Sequence, residues 1–576
     1  MPRYRLPYLL IPIAAFIIVF PLIGHGCSCG HDFDFHLINW FEAAKQFAHG
    51  TLRPHWAFTP GWNAGEPRFV FYPPLSWTIG AILGLVMPWT WTPIAYTWLA
   101  LTIAGLACVH AARTFAPPNA ALLAATIYIA NPYTLYTALE RTAYAELLAA
   151  AWLPLLLRGI LRDRVTIPGI AIPVTLLWLT NAPAAVMGCY ALALLAIVRL
   201  TLSRNEPRTH IALNTLAGTA IGLGLAAFYI VPAAYERRYV QIRYAILPGL
   251  LPWDNFLFHH TNDPEHDAVL RTASIVAALL IIVTAAALFF IRSNKLSSAA
   301  SATLHTYLPD ATLARLRLRL SILTLAIAFM LTPLSTVLWM HLPELRFLQF
   351  PWRLTAVLAA VFALALSLAL SRLSLKLRTI AVVSLLSAFL LGFSAWHAFR
   401  QYCYPEDTVE TRLQIFQSSN PGSEPTDEYA PIGADNEVLN EQNPSWWVAP
   451  DPKDNPSDIA PIYQCGDLVN CKDLSSPSPG PAPRRLDLNN SFPATLILNL
   501  RDYPAWQISR NGSIVTTRLH REDGLIAIPL PAGASHIEIA YTDLADQRIG
   551  YLFTALSALA LALVLKPRRR LTAPHR

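Results

Sequence analysis

Long apolar runs separated by short polar loops set the plan of this chain. Pro7–Ile23, Ile211–Ile230, Ser274–Ile291, Ile322–Met340, Ala356–Leu370 and Ile380–Trp396 are each about the length that crosses a bilayer as a helix. Arg3 and Arg5 precede the first run and no small-residue cleavage site follows it, so it reads as an uncleaved anchor. The basic residues fall in short loops, Arg158–Arg164, Arg199–Arg208, Arg292–Arg319, Arg372–Arg378 and Lys566–Arg570, which the positive-inside rule assigns to the cytoplasm. The first loop (25–73), loops 231–270 and 341–353, and the long segment 400–548 then share the opposite side. Both termini are cytoplasmic on this reading, which requires an even number of spans. The pattern contains roughly thirteen apolar runs, with three between Leu75 and Ala130 where two would suffice. The expectation is about 12–13 transmembrane segments, one of them short or re-entrant.

Two polar stretches have patterns of their own. Phe35–His49 carries Phe35, Ile38, Trp40, Phe41 and Phe47 at roughly helical spacing, which predicts an amphipathic helix at the membrane surface. From about Gln401 the chain turns polar and proline-rich, and residues 484–545 then read as strands: TLILNLR, WQISR, SIVTTRL, LIAIPL and HIEIAY. Asn511-Gly512 between two of them is a hairpin signal. The predicted fold is an integral membrane, mostly α bundle over 1–399, a β-sandwich domain over 400–548, and a last span with a basic tail over 549–576.

Composition agrees with this plan: 54% of the 576 residues are hydrophobic and 14% charged, against about 25% charged in soluble domains. The net charge of +7 comes from the short loops that orient a membrane protein, so no nucleic-acid partner is implied. Cys108 and Cys189 fall in spans as packing residues. Cys27, Cys29, Cys403, Cys465 and Cys471 fall on the side where disulfides persist, with Cys465 and Cys471 the best-spaced pair. A metal site from Cys27, Cys29 and His31 lacks the second ligand pair of a zinc site.

Candidate chemistry concentrates in the first loop and two later ones. Asp32 and Asp34 lie just past the first span, where a carboxylate can take a proton from an acceptor hydroxyl or amine. Arg141, Arg346 and Arg353 are candidate phosphate ligands, because guanidinium forks match phosphate geometry. His36, Glu146 and the rings of Trp56, Trp62 and Tyr72 are candidates for substrate contacts, the rings by stacking on sugar. Each has a plainer alternative: solvation at a span end for the two acids, snorkelling for Arg353, a structural ion pair for Arg141 and Glu146, and a hydrogen-bonded structural role for His36. Asp-Phe-Asp also has the form of a divalent-metal motif, a pairing common by chance. The Asn181–Pro183 stretch reads as a helix interruption without a role.

The pattern carried by Asp32, His36, Gly50, Pro54, Trp56, Gly61, Gly65, Pro67, Phe69, Phe71, Tyr72, Pro73 and Pro74 resembles bacterial multi-pass proteins labelled 6-pyruvoyl-tetrahydropterin synthase-related, similar to YfhO-type proteins. Asn131-Pro132-Tyr133, Arg141 with Glu146, Phe350–Arg353 and Tyr503–Trp506 extend the resemblance. It implies an architecture similar to GT-C glycosyltransferases, which use polyprenyl-phosphate sugars and an essential acid in the first outer loop. By position that acid is Asp32, and Arg353 is the implied carrier-phosphate contact. Pterin chemistry is not implied, because no compact histidine triad accompanies a catalytic cysteine. The expectation is a glycosyltransferase of the cytoplasmic (inner) membrane, acting at its outer face. A polyprenyl-phosphate-linked sugar would be the donor and an envelope glycan or protein the acceptor, with membrane lipid as surroundings and a divalent metal as an optional cofactor. The rival is a non-catalytic transporter or assembly factor that binds lipid-linked glycans.

Overall fold

The computed structural model describes residues 6–202, 207–292, 308–373, 376–458 and 478–566, and most of them are helical. Among the described residues eight helices are long and apolar enough to cross a membrane: Pro7–His25, Trp89–Ala112, Tyr144–Leu161, Ala182–Leu202, Pro264–Ile291, Pro351–Leu370, Leu377–Phe399 and Ala545–Leu565. The chain is a multi-pass membrane protein. Thr355–Leu370 runs through the middle of the bundle, where its many alanines let Pro264–Arg292, Pro118–Ile129 and Trp152–Leu161 approach closely. Ala545–Leu565 lies at the periphery with most of its side chains exposed.

Two apolar runs expected to be single spans are bent pairs. Asp310–Met330 and Pro333–His341 meet at 93°, because Pro333 has no N–H with which to continue the helix. Ser335 and the Trp339 indole donate to the Met330 carbonyl at 3.0 and 2.9 Å, supplying partners that the broken helix lost. Arg208–Leu225 and Ala227–Tyr239 meet at 74°, and the freed Phe228 N–H donates to Thr554 of the last helix at 2.9 Å. The three runs between Leu75 and Ala130 form helices of 13, 21 and 12 residues, and the middle one alone has spanning length. Against the expected 12–13 transmembrane segments, one of them short or re-entrant, the described residues form eight long helices, two bent pairs, and the shorter apolar helices Pro74–Val86 and Ile167–Thr180.

The C-terminal region contains two antiparallel sheets. One has the order β1-β3-β6 (Trp446–Ala449, Ala494–Arg501, Leu525–Leu530), the other β2-β7-β4-β5 (Arg485–Asn490, Gly533–Tyr541, Trp506–Arg510, Ser513–Ile514). Asn511 and Gly512 turn the β4–β5 hairpin with φ of 50° and 80°, left-handed values that these residue types tolerate. The strand expected from Ser513 onward is only two residues long, and β1 carried no sequence signal. A helix, Val409–Gln417, precedes the sheets and packs on Phe33–Ala48.

The first loop is held between bundle and sheets. Glu42, buried on Phe33–Ala48, accepts from the Phe58 and Thr59 amides at 3.0 and 2.6 Å. Gly61, Trp62, Asn63 and Gly65 then turn the chain with positive φ. A Cβ on Gly65 would lie 2.0 Å from the Trp56 indole nitrogen, so only glycine permits this turn. Trp56, 2% exposed, packs beside Tyr503 and Trp506 in the core of the sheet region. The Arg501 amide donates to the Ala64 carbonyl at 3.0 Å, and Asn499 donates to the Trp62 carbonyl at 3.0 Å. The helix Phe33–Ala48 is largely buried by these contacts, where amphipathic spacing suggested a surface position.

Candidate functional site

A strap of backbone positions Asp32. The Asp32 amide donates to the Arg141 carbonyl at 2.9 Å, the Ser28 hydroxyl to the Leu139 carbonyl at 2.5 Å, and the Gln401 amide to the Ser28 oxygen at 2.8 Å. Cys29 and Cys403 form a disulfide across the same point, a pairing that spacing did not suggest. Cys465 and Cys471, the pair expected from spacing, lie outside the described residues. Asp32 stands at the N-cap of Phe33–Ala48 but makes no side-chain cap bond. Its carboxylate, 42% exposed, reaches instead into a cavity of about 560 Å³.

The opposing groups come from a broken helix. Asn131 caps Pro132–Leu139 by accepting from the Tyr133 and Thr134 amides, and Pro132 takes the first position, where no N–H is needed. The chain breaks at Thr142, whose φ of 48° is rare for a β-branched residue, before Tyr144–Ala149 begins. This break turns Arg141 and Glu146 toward each other at 2.7 Å. Tyr133 donates to the other Glu146 oxygen at 2.5 Å. Arg141 also lies 3.6 Å from Asp32 and faces the Trp352 ring at 4.9 Å. Burial works against the Arg141 charge, but Glu146 and Asp32 more than offset it and raise its pKa.

Arg353 enters from the short turn Pro351–Leu354. Its Nη1 donates to the Leu348 carbonyl at 3.1 Å, and its Nε stands 3.9 Å from Glu146, beyond hydrogen-bond range. That buried Nε has no hydrogen-bond partner among the described residues. A buried guanidinium edge without an acceptor is costly unless a ligand completes it. His36 and Tyr72 line the cavity as well, with their rings 5.9 Å apart. Burial pushes His36 down to about 4, so its imidazole is neutral.

Six of the predicted residues, Asp32, His36, Tyr72, Arg141, Glu146 and Arg353, therefore line one cavity. Four do not. Asp34 points away and pairs with Arg412 at 2.9 Å, because positions two apart at a helix start face roughly opposite directions. The two carboxylates are held by different arginines and do not converge as a shared metal site. Trp56 and Trp62 pack against the sheet region and do not line this cavity. Arg346 lies over the Phe347 ring in an adjoining groove with Met340 and His341, across a wall the two share at Arg237, Glu344 and Phe347. Sequence reading passed over Tyr133, quoted only as part of a motif, and Glu428 and Tyr429, which join the cavity wall from beyond the bundle. Asn181 and Pro183, the interruption without a role, also line it, and Asn181 caps the following helix by accepting from Ala184 at 2.8 Å.

No family model matches the chain, and no curated protein matches it. Among solved structures it is similar to the cryo-EM structure of arabinofuranosyltransferase AftD from Mycobacteria, at 15% identity and a TM-score of 0.40, over 68% of this chain and 27% of that one. A point mutant of that protein aligns at 16% identity and a TM-score of 0.42, over 68% and 28% of the two chains. The chain thus spans little more than a quarter of the length of the protein it matches, and the functional reading rests on the geometry of its own site.

Proposed function

We propose that the chain is a membrane glycosyltransferase that moves a sugar from a polyprenyl-phosphate donor to a cell-envelope acceptor at the outer face of the cytoplasmic membrane. The observation that carries this reading is the pairing, in one cavity, of a half-exposed Asp32 carboxylate with a buried Arg353 whose Nε has no acceptor. Asp32 takes the proton from the acceptor hydroxyl as its oxygen attacks the anomeric carbon. The bond from that carbon to the phosphate oxygen breaks, and polyprenyl phosphate leaves with the electron pair. Arg353, helped by Arg141, stabilises the charge that grows on the phosphate. Glu146 and Tyr133 hold Arg141 in place. On this reading the sheet region stands outside the membrane and contributes to acceptor recognition through the cavity wall at Glu428 and Tyr429.

The experiment is transfer by the purified full chain, offered a polyprenyl-phosphate sugar and a crude envelope acceptor, with and without divalent metal. Loss of transfer in Asp32→Asn, with the protein folded and donor still bound, supports the reading. Donor bound by the wild type but never consumed replaces it with a carrier or assembly role.

A further inference from the structure

Three sulfurs meet at the base of the Asp32 strap. The Sγ atoms of Cys27, Cys29 and Cys403 all lie within 4.8 Å of one another, yet two of the three are bonded and Cys27 is a free thiol. We propose that they form a thiol–disulfide exchange site, in which Cys27 takes over from Cys29 the bond to Cys403.

The geometry suits a local exchange. Cys27 and Cys29 flank Ser28, whose hydroxyl is bonded on both sides, to the Leu139 carbonyl and the Gln401 amide. Ser28 therefore acts as a pivot that keeps both cysteines beside Cys403 whichever of them is bonded. Gly26, with a φ of 81° and open space around it, gives the Cys27 side backbone freedom. A cavity of about 390 Å³ reaches Cys27 and Cys403 but is not lined by Cys29. Exchange thus moves the free thiol from a cavity-facing position to one nearer Asp32, and detaches the Asp32 side of the strap from Cys403.

The step balances without an outside oxidant or reductant. Cys27 gives its proton to a solvent base, and its thiolate attacks the Cys403 sulfur. The Cys29–Cys403 bond breaks as the Cys27–Cys403 bond forms, and Cys29 leaves as a thiolate that takes a proton from water. Burial pushes the Cys27 thiol up to about 11, with nearby Glu410 adding to the rise and Arg400 opposing it; the Tyr144 phenol also faces it. Exchange is therefore slow near neutral pH and speeds about tenfold for each unit that pH rises toward that value.

The test incubates the full chain in detergent, without added thiol, at pH 8 and pH 9. Samples are quenched in acid, unfolded, alkylated with iodoacetamide, and the label is located at Cys27, Cys29 or Cys403 by fragment mass spectrometry. The label is expected on Cys27 at first and in part on Cys29 later, about ten times faster at pH 9. Label confined to Cys27 at both pH values, or a new bond from Cys27 to any cysteine other than Cys403, overturns the proposal. Cys29→Ser incubated with oxidised glutathione, which takes up the two electrons and leaves as reduced glutathione, is expected to form a Cys27–Cys403 disulfide, and two free thiols in that folded, oxidant-treated variant also overturn it. Should Cys29→Ser not fold, the wild-type label migration decides alone, with Cys27→Ser as the control that never labels Cys29.

Discussion

At the scale of single residues, two acids two positions apart have different partners. Asp32 meets Arg141 in the cavity and Asp34 meets Arg412 outside it. Asp32→Asn is expected to lower transfer at least 100-fold with donor binding kept, the range for loss of a general base, whereas Asp34→Asn stays within about threefold of wild type because that pair is partly exposed. Initial rates and donor binding measured on both variants check this. Arg353→Met should weaken binding of polyprenyl phosphate by about 10- to 100-fold, the value of a charge-assisted hydrogen bond, readable by titration of the lipid phosphate. His36 offers a pH test. Its folded pKa, about 4, lies below its unfolded value, so below about pH 6.5 the unfolded chain binds a proton that the folded chain refuses. Stability contributed by neutral His36 then falls by up to about 1.4 kcal/mol per pH unit between pH 6.5 and 4. His55 shifts in the same direction, so the measurement is the difference in unfolding midpoint between wild type and His36→Gln across that range. A difference that does not change with pH would remove the claim that His36 stays neutral.

Elements place these residues through breaks more than through regular helices. The strap bearing Asp32 runs so close to the end of Pro132–Leu139 that a Cβ on Gly30 would stand 2.0 Å from the Glu140 carbonyl oxygen. Gly30→Ala must push the strap off that carbonyl, moving Asp32 from Arg141. The expectation is a tenfold or greater loss of transfer in a protein that still folds, since a shift of about 1 Å in a catalytic group costs that much or more. Wild-type rates in Gly30→Ala would mean that the strap does not set the position of Asp32. Thr142, Ala226 and Pro333 mark the other breaks. Pro333 was visible in the sequence, but an apolar run through Ala226 looks the same straight or bent. Hydropathy counts apolar residues and is blind to direction, so a bent pair has the same pattern as a straight span.

Across the whole molecule, the first loop joins the bundle to the sheet region, and Trp56 is its anchor. Truncating a buried tryptophan costs about 3–5 kcal/mol, so Trp56→Ala should lower the thermal midpoint of the purified chain clearly. Equal midpoints would show that the loop and the sheets are only loosely joined. Features that depend on local length, composition and turn chemistry are legible along the chain. The apolar runs had to be membrane helices, since only an internally bonded helix of that length satisfies its backbone in lipid. Asn511-Gly512 had to turn a hairpin. Features that need distant segments to meet emerge only in the folded chain. Cys29 meets Cys403 across 374 residues, and Arg353 joins Arg141 and Asp32 from a turn far along the chain. Trp56 lies away from the cavity because its partners, Tyr503 in the turn before β4 and Trp506 at the start of β4, belong to a region that no local pattern ties to the first loop. Burial and pairing are properties of the assembled interior, and they choose among residues that look equivalent along the chain.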